Sequence, residues 1–541
     1  MKKRFLYIFC FSLFILLSFD SNSQSIPHLQ QKGRTQQLIV DGKPFLILGG
    51  ELGNSTASSL DYMWPFWQKF RAMNLNTILV PAYWDLIEPK EGKFDFTLVD
   101  SILILSRKNN LKVILLWFGS WKNSMSCYAP AWIKTNEQRY PRAQNREGKG
   151  LEILSAFSKN NLEADKKAFA GLMKHLKETD RNQTVIMVQV ENEIGMLTEA
   201  REYTPGANKA FDSEVPQELI NYLSKNKDSL VPELRAHWAK RNFATKGNWE
   251  NVFGKSLATD ELFQVWYYAK YTDQVAEAGK KEYSLPMYVN AALNYRNVQP
   301  GQYPSAGPLP HLIDIWQAGA PAIDFLSPDF YNPYFKHYCD LYSRRNNPLF
   351  IPEIRFEPSD APKVFYAIGH YQALGFSPFS IESTEHPEEE PITKSYSILS
   401  QLSPQILTYK GTGKMEGVLL DTATKTEEII LGNYKLKVSH DYTLGWSPEA
   451  KKPDWPMSGA IIIQENDNDF IIAGTGIVVT FTVSNRTDKS VGILQAEEGK
   501  FDNGKWIPGR RMNGDQDHQG RHIRIPVGEW NIQKVKLYQY K

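Results

Sequence analysis

Short apolar runs alternate with stretches of helical period between residues 38 and 381. Runs at 38–40 and 45–48 bracket Asp41-Gly42, which predicts a hairpin leading into a first strand that ends at Gly49-Gly50-Glu51. Further strands are predicted at 77–82, 113–117, 185–190, 287–291, 323–326, 349–352 and 376–381. Helical period fills 60–73, 98–108 and 164–179 between them. The segment 197–283 is far longer than one crossover needs and predicts an elaborated fourth crossover with helices near 218–224 and 260–280, open to use as a lid. Eight strands joined by mostly helical sequence predict an α/β fold, a parallel closed (β/α)8 TIM barrel over 24–402.

Near Ser403 the texture changes. Short alternating runs follow at 417–420, 428–431, 460–464, 470–473, 477–483 and 534–540, punctuated by Asn466-Asp467-Asn468 and Asp502-Asn503-Gly504. This predicts a C-terminal antiparallel β-sandwich domain, or two small β units, over 403–541.

Two strands stop at carboxylates. Val188-Gln189-Val190-Glu191-Asn192-Glu193 and Phe350-Ile351-Pro352-Glu353 end strands four and seven, at the barrel face where chemistry sits. Breaking a glycosidic bond takes an acid for the leaving oxygen and a nucleophile or base opposite. The expected roles are Glu193 as acid/base and Glu353 as nucleophile. Carboxyls about 5–5.5 Å apart retain anomeric configuration, and about 6.5–9.5 Å invert it. Glu191 is the rival for the acid, because two positions along a strand share a face. Asn192 is expected to hold the sugar 2-hydroxyl, and Tyr331 to donate to Glu353. Trp84 and Trp121 either stack on sugar rings or line the barrel top. Asn290 and Glu382 are further strand-end candidates. Glu88, Asp95 and Phe96 read as structural residues fixing the loop after strand two.

Composition narrows the partners. Lys2, Lys3 and Arg4, an apolar run to Phe19 and Ser21-Asn22-Ser23 read as a secretory signal over 1–23, so export to the periplasm or medium is expected. Cys10 lies mid-run, away from any small-residue cleavage site, so no lipid anchor is expected there. The formal net charge of +2 resides in this leader, so the remainder is near neutral. No basic stripe stands out, which argues against nucleic acid and for a neutral carbohydrate. Cys127 and Cys339 are expected as unpaired thiols, and no cofactor or metal is called for.

The run Asn76-Thr77-Ile78, Trp84-Asp85-Leu86-Ile87-Glu88-Pro89 and Gly92-Lys93-Phe94-Asp95-Phe96 resembles the opening of glycoside hydrolase family 35 β-galactosidases. Val190-Glu191-Asn192-Glu193-Ile194-Gly195 is similar to that family's acid/base motif, in which Asn precedes the acid, so it is the resemblance that gives the role to Glu193 over Glu191, and Pro352-Glu353 resembles its nucleophile position. Tyr83 looks like a tyrosine near the sugar in the family. The resemblance covers about 38–384 and implies a retaining barrel enzyme releasing β-linked galactose from chain ends. The C-terminal region looks like the appended domain of a bacterial subgroup. One departure falls after strand three, where an Ala-Glu-like run that holds sugar hydroxyls is replaced by Trp117-Phe118-Gly119-Ser120-Trp121-Lys122-Asn123. The expectation is therefore an exo-acting β-galactosidase. The same chemistry on a β-glucoside or α-L-arabinopyranoside is the first alternative, and a non-catalytic carbohydrate binder the second.

Overall fold

The computed structural model describes residues 25–294, 297–485 and 488–541; the expected secretory signal lies outside them. Eight parallel strands close into a barrel: β1 (Ile47–Glu51), β2 (Thr77–Tyr83), β3 (Lys112–Lys122), β4 (Val185–Asn192), β5 (Met287–Ala292), β6 (Phe325–Phe330), β7 (Ile351–Ile354) and β8 (Gly375–Pro378). They follow chain order around the barrel, with β8 pairing β1. All eight are wholly or almost wholly buried, which is why their sequences read as continuous apolar runs rather than alternating ones. The expected hairpin precedes the barrel as Thr35–Val40 paired with Lys43–Phe45.

Helix α1 (Lys159–Thr179) enters β4, and α2 (Leu257–Glu282) connects β4 to β5. A Cβ on Gly279 of α2 would lie 2.3 Å from a ring carbon of Phe169 on α1, so the two helices lie closely side by side there. The long expected insertion therefore contains the crossover helix itself. Four shorter helices, Pro205–Asp212, Gln217–Lys225, Pro232–Ala239 and Trp249–Phe253, precede it. β6 starts two residues later than expected and runs through Pro328, so Asp329 belongs to the strand.

Helix α3 (Asp360–Gly369) connects β7 to β8, and α4 (Pro391–Tyr409) follows β8. The expected change of texture near Ser403 falls inside α4, and strands resume with β9 (Met415–Leu420). Beyond it, a six-stranded and a four-stranded antiparallel sheet form a C-terminal sandwich. The face of α3 turned from the barrel lies on β9 and β10 (Ser458–Gln464). Met415, Leu419, Ile461 and Ile463 join the same apolar core as the barrel residues, while Val418, Leu420 and Ile462 face the interior of the sandwich. This split follows the period-two alternation of a strand.

Candidate active site

A cavity of about 480 Å³ opens at the carboxyl ends of the strands, within the range of small-molecule sites. Glu193 and Glu353 both line it, together with Asn54, Lys122, Asn123, Asp329 and Tyr331. The sequence separates the two glutamates by 160 positions, from 193 to 353; the barrel brings them to one place.

The chain turns sharply at Glu193. Glu191 and Glu193 both have left-handed backbones, with φ of 62° and 46°, a strained conformation for non-glycine residues. The strand alternation that would give the two glutamates one face therefore fails. Glu191 turns behind the barrel wall, where its Oε2 accepts the Trp121 backbone N–H at 2.7 Å. Burial and the nearby Asp165 push its carboxyl well above the usual range. Glu193 turns into the cavity, accepts a hydrogen bond from Asn123 Nδ2, and donates its backbone N–H to Asn290 Oδ1 at 3.0 Å. Asn290 in turn donates to Asp329 Oδ2 at 2.7 Å.

Glu353 accepts a hydrogen bond from the Tyr331 hydroxyl. Burial, then the charge of Glu193, push its carboxyl up to about 7. Burial likewise raises Glu193. Two further carboxyls complete the cluster. Glu51 ends β1, and Asp329 pairs with Glu353 in strand register. Both are about 1% exposed. Burial and the neighbouring Glu353 hold each well above the ordinary range, which favours their neutral, hydrogen-bond-donating form. A hydrogen bond between Glu51 and Glu353 favours the ionised form of Glu353. Lys122 is the cation that favours ionisation at all four carboxyls.

Other expected site residues are placed elsewhere. Trp121 is fully buried, edge-on to Tyr268 and Tyr271. Trp84 is fully buried and donates to Glu88. Tyr83 donates to the Asn54 carbonyl at 2.8 Å and so supports a cavity residue without lining the cavity. Glu382 accepts from the Gly53 N–H and the Thr56 hydroxyl, fixing the loop after β1. Asn192 is fully buried, and its side-chain atoms have no hydrogen-bond partner among the described residues. Asn290 acts through Glu193 and Asp329. The reading from sequence passed over Glu51, Lys122, Asn123 and Asp329 as site residues. Glu51 and Asp329 carried the same signal as Glu193, a carboxylate at the end of a strand. Lys122 and Asn123 stand in the run noted as a departure after strand three. Cys127 is exposed and Cys339 buried, both as free thiols.

Residues 37–261 match the family described as glycosyl hydrolases family 35, and residues 392–524 match a domain of unknown function, DUF5597. The chain is 29% identical over 176 residues to the beta-galactosidase of Xanthomonas manihotis, covering 31% of this chain and 27% of that protein. It is 28% identical over 201 residues to beta-galactosidase-1-like protein 3 of Homo sapiens, covering 36% of this chain and 27% of that protein. The match thus spans about a quarter of the length of these curated relatives. The crystal structure of beta-galactosidase from the psychrophilic Marinomonas ef1 overlaps with a TM-score of 0.47 at 13% identity, over 68% of this chain and 63% of that one, a likeness too loose to carry an argument. With an eight-stranded parallel barrel and two strand-end glutamates in one cavity, residues 37–261 are similar to glycosyl hydrolases family 35.

Proposed function

We propose that this protein is a retaining, exo-acting glycoside hydrolase of β-galactosidase type that removes terminal sugars from neutral oligosaccharides or polysaccharides outside the cytoplasm. The observation that carries this reading is the convergence of Glu193 and Glu353 on one cavity, each with a raised proton affinity and a different set of partners. Glu353, held by the Tyr331 hydroxyl, attacks the anomeric carbon. Glu193 protonates the leaving oxygen, and the covalent glycosyl–Glu353 ester forms. Glu193, now ionised, takes a proton from water, which attacks C1 and frees the sugar with its configuration retained. The environments suit these roles. Tyr331 and Glu51 offset part of the burial that raises Glu353, and burial raises Glu193 against the opposing Lys122 charge and Asp329 hydrogen bond. The buried carboxyl cluster disfavours an anionic sugar.

A second reading keeps the chemistry and changes the sugar, to a β-glucoside or an α-L-arabinopyranoside. It is favoured by Lys122 and Asn123, which line the cavity in the run where the family's polar pair differs. A panel of aryl glycosides separates the two readings, and turnover of any member excludes a pure binding role. Glu353→Ala should lower kcat by more than about 10³-fold on every substrate. Glu193→Ala should keep measurable activity on substrates with good leaving groups and, with azide, give a β-glycosyl azide. An α-azide would refute retention, and wild-type rates in either variant would refute the assigned roles.

A further inference from the structure

This step rests on the proposed glycosidase reading. If Glu193 protonates the glycosidic oxygen, the departing sugar lies on its side of the cavity. The cavity is also lined by Leu197, four residues beyond Glu193, and by Leu293, Gln302, Tyr303 and Pro304. Rings and aliphatic surface of this kind cover the apolar face of a sugar, leaving its hydroxyls free.

Two segments are joined to build the wall. Met196 N–H donates to the Ser305 carbonyl at 2.7 Å, and Ser305 N–H returns to the Met196 carbonyl at 3.0 Å. A Cβ on Gly195 would fall 2.7 Å from Pro304 Cβ, and one on Gly307 would fall 2.6 Å from the Ile194 carbonyl oxygen, so the segments meet at van der Waals contact. The segment that follows Glu193 is thereby fastened to the one carrying Tyr303.

Helix α2 adds the tie that fixes both. Its Glu261 is 3% exposed. Oε1 accepts the Tyr303 hydroxyl at 2.8 Å and the Ala306 backbone N–H at 3.1 Å, and Oε2 lies 3.0 Å from His311 Nε2. A carboxyl buried to this degree is costly unless its oxygens are hydrogen-bonded. Here two of its three partners belong to the cavity wall and its immediate continuation.

We infer that Glu261 is the positioning residue of the leaving-group subsite, holding the Tyr303–Pro304 wall against the second sugar of a neutral β-linked glycan. The test compares wild type, Glu261→Ala and Glu261→Gln on a β-linked disaccharide and on an aryl glycoside of the same terminal sugar. In Glu261→Ala, the ratio of kcat/KM for disaccharide over aryl glycoside should fall about tenfold, chiefly through KM for the disaccharide. Glu261→Gln keeps an acceptor oxygen and should bring that ratio back to within about threefold of wild type. Tyr303→Phe, which loses the tether and keeps the ring, should move the ratio in the same direction as Glu261→Ala and serves if the alanine variant does not fold. Equal losses on both substrates, or an unmoved ratio in folded variants, would overturn the assignment. A wild-type protein that cleaves neither substrate overturns the glycosidase reading, and this assignment with it.

Discussion

Lys122 opposes the burial that raises Glu193 and Glu353, the two proposed catalytic carboxyls. It sits 5.1 Å from the centroid of the Phe118 ring, 5% exposed, beside four buried carboxyls, and its charge favours ionisation at each of them. Removing that charge raises all four. Glu353 must be ionised to attack, so the acidic limb of the kcat/KM profile should move to higher pH in Lys122→Met, by about one unit. The alkaline limb, where Glu193 loses its proton, should move the same way. The limbs belong to the coupled pair rather than to single residues, so the informative quantity is the displacement of the whole profile. A profile that loses height without moving would show that Lys122 contacts substrate instead. Sequence alone pointed to Glu193 and Glu353, which line one cavity, because a strand running into a carboxylate is a local pattern. It placed Glu191 on the same face as Glu193 because the left-handed turn between them carries no glycine to announce it. Lys122 was passed over because its meaning comes entirely from neighbours on other strands.

At the scale of elements, α3 is shared by both domains. Its C-terminal end meets β9 backbone to backbone at a pair of glycines. A Cβ on Gly369 would lie 2.6 Å from the Gly417 Cα, and one on Gly417 would lie 2.8 Å from the Phe365 carbonyl oxygen. A Cβ on Gly459 would meet the Pro362 carbonyl oxygen at 2.5 Å, so β10 crosses the start of α3 equally closely. Gly417→Ala should therefore force α3 and β9 apart and destabilise by about 1–3 kcal/mol, measured by denaturant unfolding. Because α3 packs on both sides, the loss should appear in the transition that reports on the barrel as well as on the sandwich. The barrel was legible beforehand because buried parallel strands read as unbroken apolar runs between helical periods. The interface was not. A glycine required by a neighbour far along the chain is indistinguishable in sequence from one in a turn. Pro328, which reads as a strand terminator, hid the second half of β6.

The whole molecule stores a pH dependence in its buried acids. Glu51, Glu193, Asp329 and Glu353 cluster at the barrel mouth, Glu191 is buried behind its wall, and Glu202 accepts hydrogen bonds from the Ser155 and Thr204 hydroxyls. Burial raises every one of them, Glu202 and Glu353 to about 7. In the unfolded chain such groups titrate near about 4. Between about pH 4 and pH 7 the folded protein therefore holds protons that the unfolded chain has released. Proton binding is then greater in the folded state, so stability falls as pH rises through this window. The stability these groups confer is fully present only below their unfolded values. Glu51→Gln is the direct test, because glutamine copies the neutral acid and keeps a donor for Glu353. The variant should melt with wild type near pH 4, then stay above it by about 1–3 °C at pH 8. A variant that melts below wild type at pH 8 would mean that Glu51 is ionised in the folded protein and held by Lys122, which reverses the sign of its contribution.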